Sequence, residues 1–472
     1  MKKYLIIILC LYITSCDGLL DVNVDPGRIS PDQVTVQTLL PASIRFTAST
    51  IFGAAQYGVQ YPQYLQGQAI SQYIPYGFDQ IWRPMYTDAI PSLQEIIERA
   101  EAQEAYNYSG VAKVMLGLSL MTGTDIFGAL PYSEANQGTT NLYPCYDSMQ
   151  EIYEIHLPVI INGAIEDLQR PLPQLPSLRV LRGDYIYNGD QAKWLKAAYA
   201  LRARYNLHLA EKNPALRAAA LQDAERAFTA NADDFQLVYE EQVQNPWFLF
   251  IGNAVNRIMR PGAYITDLMS GAAPYPGVRD PRITFYMSNG TATSFVGVSP
   301  GFLIDAEPGV NVNLTANTWH STNVAPLQMM TYPEIQFIKA EVQLATNPNA
   351  AYEAYLEGIR ASMSKVGVTT ENINAYLSSP AIAIGAANLT LANVMLQKYI
   401  ALYLQIETWT DMRRYQYDPN VYLGLQKPEG DRNQLPNGGW IQRSNIPDDE
   451  PGTNTCLPEI LHQGVPLWLF EN

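Results

Sequence analysis

Charge is what this sequence has least of. Only 16% of its 472 residues are charged, and bases are scarcer than acids, 30 against 45, for a formal net charge of −15. A chain without a basic surplus has no face for tracking phosphate backbones, which excludes nucleic acid as a charge-driven partner. It would also be repelled by anionic lipid headgroups. Histidine is scarcer still: His156, His208, His320 and His462 stand apart, with no zinc-ligand spacing. Nothing in the sequence matches a phosphate-cradling glycine loop, a metal motif or a cofactor motif. Cysteine occurs four times, at Cys10, Cys16, Cys145 and Cys456, too few for a disulfide-built fold. After the N-terminal apolar run no second one is read as a membrane span.

What is present starts at the N-terminus. Lys2 and Lys3 precede the apolar run "YLIIILCLYI", a signal-peptide pattern too short to span a bilayer as a helix. The run closes on "ITSC", Ile13 to Cys16, where small residues before a cysteine form a bacterial lipobox. Residues 1–15 are therefore expected to be a lipoprotein signal peptide, with Cys16 taking the lipid. Cys10 leaves with the signal. Cys145 and Cys456 are left free to pair in an oxidising envelope, and their spacing does not decide whether they do.

Most of the mature chain reads as helix. "SGVAKVMLGLSLMTG" carries apolar residues at Val111, Val114, Met115 and Leu118, a helical stripe. "GDQAKWLKAAYALRARYNLHLA" repeats the pattern, with Asp190 placed as N-cap. "NPALRAAALQDAERAFTA" follows it, and "YPEIQFIKAEVQLAT" is followed by "NPNAAYEAYLEGIRASMSKVG". Both pairs turn at Asn-Pro, as helical hairpins. Small residues such as Ala197, Ala198, Ala354 and Gly358 would let the helices approach closely. "TLANVMLQKYIALYLQIETWTDMRRYQ" reads as one last strong helix, on which Glu407, Asp411 and Arg414 share a face as a surface or partly buried ion network. The fold class predicted is mainly α. It is a scaffold of tetratricopeptide-like hairpins near 85–130, 150–170, 190–230, 333–365 and 389–415, within a single domain spanning 16–472.

Three stretches break the helical pattern: 52–82, 270–330 and 416–472, rich in Gly, Asn, Pro and Tyr, with strand-like runs such as "ITFYM". Long irregular segments in a folded domain commonly carry function. Their aromatics are the candidate ligand-binding residues: Tyr73, Tyr76, Phe78, Tyr275 and Trp319, flat faces that can stack on sugar rings or hold peptide side chains. Trp82 and Tyr86, four apart at a helix start, read as core packing. Catalytic patterns fail on context. "GVSPG", Gly297 to Gly301, lacks the helix that must follow a nucleophile elbow, and "SMSK" lacks its partner motifs. "DVNVDPG" puts Pro26 where a calcium loop needs glycine. In "TDIFGALPYSEA" the two carboxylates, Asp125 and Glu134, read as a helix end and a packed loop.

Taken in order, "ITSC", "LLDVNVDPG", "FDQIWRPMY", "TDIFGALPYSEA", "KWLKAAYALRARYNLHLA", "YPEIQFIKAEVQLA" with "AAYEAYLEGIRASM", and "LQKYIALYLQIETWTDMRRY" resemble the SusD/RagB nutrient-binding outer-membrane lipoproteins. The departures are Pro158, which interrupts a helix that usually runs on, and the loose C-terminal "PLWLFEN". The resemblance implies a non-catalytic lipoprotein at the cell surface that needs no cofactor. It would capture an oligosaccharide or oligopeptide and act as lid to a SusC-like TonB-dependent transporter. It transfers no ligand residue, because the ligand loops of that family vary. A surface-anchored hydrolase acting on a polymer is the second class kept open.

Overall fold

The computed structural model describes residues 34–67, 77–253, 259–301, 309–429 and 432–471. Cys16, Tyr73 and Tyr76 lie outside them.

Helix α1 (Val36–Gly58) buries Val36, Leu40, Ile44, Ala48, Ile51 and Ala55, a stripe at three- and four-residue spacing. Helical turns from Asp79 lead through a widened π-type segment, Pro84–Ala89, into α2 (Ile90–Ala102). Helix α3 (Tyr106–Phe127) is apolar on all sides and 22 residues long, enough by length and composition to cross a bilayer, yet 94% of its most apolar window is buried. A helix apolar all round belongs at the centre of a core. Accordingly α3 is packed by α1, α2, α4 (Leu157–Gln169) and α5 (Gln191–Leu209). Glycines allow the close approach: a Cβ at Gly110 would lie 2.6 Å from Leu168 Cγ.

Helix α5 starts where Asp190 accepts the N–H groups of Ala192 and Lys193, and it pairs with α6 (Leu216–Arg226). After α7 (Ala263–Ser270), the hairpin of α8 (Tyr332–Gln343) and α9 (Pro348–Lys365) repeats the arrangement, with Asn347 capping α9. At its crossing a Cβ on Gly358 would meet the Phe337 ring at 2.9 Å. Then come α10 (Thr370–Leu377), α11 (Leu391–Ala401) and α12 (Glu407–Arg414). Strands are short. β1 (Leu65–Gln66) pairs antiparallel with β3 (Arg260–Pro261), and β2 (Phe235–Leu237) pairs antiparallel with β4 (Leu327–Met330).

Four local expectations are corrected. Residues 52–58 are helical, not irregular, as the end of α1. "ITFYM" is not strand-like: Ile283–Tyr286 is a helical turn, started by Asp280, whose side chain accepts the Arg282 N–H. Pro158 does not interrupt its helix. The π-type turns of Ile152–His156 run directly into α4, and the helical run continues through Pro158 with the wider π turns just before it. The last helix is two helices, broken where Leu404 takes the left-handed conformation, φ 64°. The break folds the chain back so that Lys398 of α11 reaches Asp411 of α12 at 2.7 Å.

Cys145 and Cys456 are joined in a disulfide across 311 residues. The bond fastens the mostly irregular C-terminal stretch to the loop after α3.

Candidate functional site

The irregular stretches converge. β1 and β3 join the first to the segment before α7, and Ala263 N–H donates to the Val298 carbonyl at 2.7 Å. Gly301 N–H donates to Gln66 Oε1, and Gln63 Nε2 donates to the Gln426 carbonyl at 2.6 Å. A surface hollow of about 450 Å³ opens where they meet, lined by Ser299, Pro300, Gln426, Lys427, Pro428 and Arg432. Ser299 of "GVSPG" thus sits on a loop at a polar hollow.

The candidate aromatics are distributed differently from expectation. Phe78 is 1% exposed and stacks on buried Trp409 at 6.0 Å, while Tyr275 is 4% exposed within the core. Neither has a face left for a ligand, and both serve to pack loops onto helices. Phe78 has a left-handed backbone, φ 52°, that turns its ring inward ahead of the first helical turn. Trp319 is half-buried against the core, edge-on to His320. Trp82 and Tyr86 lie 4.5 Å apart and pack against Phe127 and Tyr146, in line with the packing role read for them.

Around Trp319 the structure gathers rings that the sequence reading missed. Its segment, Trp319–Ser321, packs on Phe248–Gly252, where a Cβ at Gly252 would lie 2.5 Å from the Ser321 carbonyl oxygen. Phe250 stands 5.5 Å from Tyr57 and 6.4 Å from Phe52, both at the end of α1, and all three rings are half-buried. Leu249 beside them is 47% exposed. The run "WFLF" (247–250) was the available signal: four large apolar residues outside any helical stripe.

The charged residues lie elsewhere, sealed inside the helices. The network expected at the surface or partly buried is fully buried and larger. Arg204 forks onto Glu334 with two 2.7 Å bonds and lies 3.4 Å from Glu407. Arg414 bridges Glu341 at 2.9 Å and Asp411 at 2.7 Å. His208, isolated in sequence, is not isolated in space: Nε2 is 2.7 Å from Glu407 and Nδ1 is 2.9 Å from the Tyr153 hydroxyl, which donates to Asp125. Burial alone would raise the Glu407 carboxyl, but the facing His208 and Arg204 outweigh it and hold it far below the usual range. For Asp125 burial wins over His208 and Arg413, and its carboxyl is raised.

Asp125, His208 and Glu407 bring ligand-type atoms within 4.8 Å of one another, close enough in principle for a metal. Both ring nitrogens of His208 are already engaged, and the Arg204 and Arg413 guanidiniums supply the positive charge. The adjoining cavity is about 20 Å³, room for one water and not for a sugar. These carboxylates hold helices together. Glu134 is likewise structural, accepting the Cys145 N–H at 3.0 Å.

A family model, SusD-like, described as "starch-binding associating with outer membrane", matches residues 29–442. No curated protein matches the chain by sequence. Among solved structures, a SusD/RagB family protein from Bacteroides thetaiotaomicron is 22% identical with a TM-score of 0.75, over 93% of this chain and 99% of that one. A chitin-binding SusD homolog from Flavobacterium johnsoniae is 18% identical with a TM-score of 0.75, over the same shares. A further chitin-binding protein is 20% identical with a TM-score of 0.74, over 93% of this chain and all of that one. At such identities these structures share the fold.

Proposed function

The chain belongs to the SusD-like family, and from that premise we propose that it is a glycan-binding lipoprotein of the outer-membrane surface, with no catalytic activity of its own. The observation that carries this reading is the match over residues 29–442 to a family described as starch-binding and outer-membrane-associated. Two structural neighbours described as chitin-binding support a glycan over a peptide. The sealed state of Asp125 and Glu407 supports binding over hydrolysis at that cluster, since a glycosidase needs its two carboxylates facing a substrate cleft.

The proposed ligand platform is the half-buried group Phe52, Tyr57, Phe250 and Trp319, flat faces that stack on sugar rings at small entropic cost. Tyr73 and Tyr76 remain proposed contributors. Such a shallow site would bind at about micromolar Kd or weaker. Closure over a SusC-like TonB-dependent barrel, with this chain as its lid, would add contacts. Signal removal at residues 1–15 and lipidation of Cys16 would tether the domain formed by 16–472 to the outer membrane.

The test incubates the purified protein with starch- and chitin-derived oligosaccharides. Saturable binding with every oligosaccharide recovered intact is expected, and shortened products would restore the hydrolase reading. Cys16→Ala is expected to release the protein from the outer-membrane fraction. Retention there without lipid would remove the anchor from the proposal.

A further inference from the structure

Helices α2 and α4 both pack on α3 but leave a trough between them, about 740 Å³ in volume. Its lining includes Ile97, Leu116 and Val159. Val159 is 72% exposed, and Ile155, four residues earlier, is 56% exposed. Ile155 lies outside the trough's lining but one helical turn from Val159, so the two extend the trough's apolar floor into a patch that a partner can cover.

The rim says what kind of partner. Glu98 and Glu166 line the trough on opposite helices, both exposed, and neither has a cation within ion-pair distance among the described residues. The nearby base, Lys113, is already held by Glu101 at 2.7 Å and Asp167 at 2.6 Å. An apolar floor between uncompensated acids is complementary to a helix whose apolar stripe is flanked by bases. A second copy of this chain would place acid against acid across a two-fold contact. The chain's own residues 17–33 are also a poor match, carrying four aspartates and one arginine.

We propose that the trough between α2 and α4 is a docking site for a basic amphipathic helix of a partner protein, separate from the aromatic platform. The probe is a synthetic peptide of roughly 18 residues, five helical turns, with a leucine stripe flanked by lysines. Its binding to the purified protein is followed by fluorescence anisotropy. A peptide of the same composition in scrambled order and a leucine–glutamate peptide serve as controls.

Only the leucine–lysine stripe should bind. Val159→Asp, and separately the Glu98→Lys, Glu166→Lys double variant, should each weaken it by about tenfold or more. These side chains are exposed, so the melting temperature should stay unchanged. Equal binding by the scrambled peptide, unchanged affinity in both variants, or no binding at all would overturn the proposal. So would a wild-type dimer that Val159→Asp turns into monomer, since the occupant would then be a second copy.

Discussion

The helical scaffold and the irregular side of this molecule use their chemistry in opposite ways. In the scaffold, acids, bases and a histidine are buried and paired, as in the run from Asp125 through Tyr153, His208 and Glu407 to Arg204 and Glu334. On the irregular side the informative residues are aromatic, and several stay half-buried. The groups that would suggest catalysis in a list of residues are thus those least able to meet a substrate. The rings of the proposed platform carry no charge, so a ligand there would be held by flat apolar surface.

The sharpest way to break the scaffold half of this contrast is to remove one partner of the buried network. Arg204→Met leaves Glu334 and Glu407 facing each other without their shared guanidinium. Chemical denaturation should show a loss of about 3–5 kcal/mol. A cost near zero would mean that the network is solvated. The next effect sits on the seam between the two halves. Replacing Cys145 and Cys456 by alanine together frees the C-terminal stretch and should cost about 2–5 kcal/mol, read by the same denaturation.

A third effect is graded by pH. His320 is buried among the rings of Tyr286, Trp319 and Tyr403. Burial, helped by Lys365, lowers its pKa from 6.5 to about 3. The folded value lies below the unfolded one, so the neutral ring's contribution is fully present above pH 6.5. It is lost as pH falls from there toward about 3, at about 1.4 kcal/mol per unit. His320→Phe should flatten the stability profile between pH 6.5 and 4. An unchanged slope would show that the ring titrates normally and is open to water.

The scaffold was legible in the sequence because its signals are local. Apolar residues recur at helical spacing, and Asp190 and Asn347 announce two helix starts a few residues away. The irregular side was located but not resolved, because its geometry is decided far away in the chain. Tyr64 donates to the Tyr399 carbonyl and Tyr399 to that of Pro62, contacts more than 330 residues apart. Whether a ring such as Phe78 faces inward depends on Trp409, which no local pattern reveals. The break at Leu404 was hidden for the same reason: its helical pattern continues, and the buried Lys398–Asp411 pair favours the fold-back. The Cys145–Cys456 pairing was undecidable from spacing alone and is read only from the folded chain.

The most direct measurement compares one side chain in two assays. Trp319→Ala is taken through calorimetric titration with the starch or chitin oligosaccharide that wild-type protein binds, and through thermal unfolding. A binding surface on the aromatic platform requires affinity to fall by about tenfold or more, within the range of a stacked ring. The melting temperature should move by only about 2 °C. Full affinity per folded molecule, together with a large drop in melting temperature, would show that Trp319 belongs to the core and that the glycan site lies elsewhere.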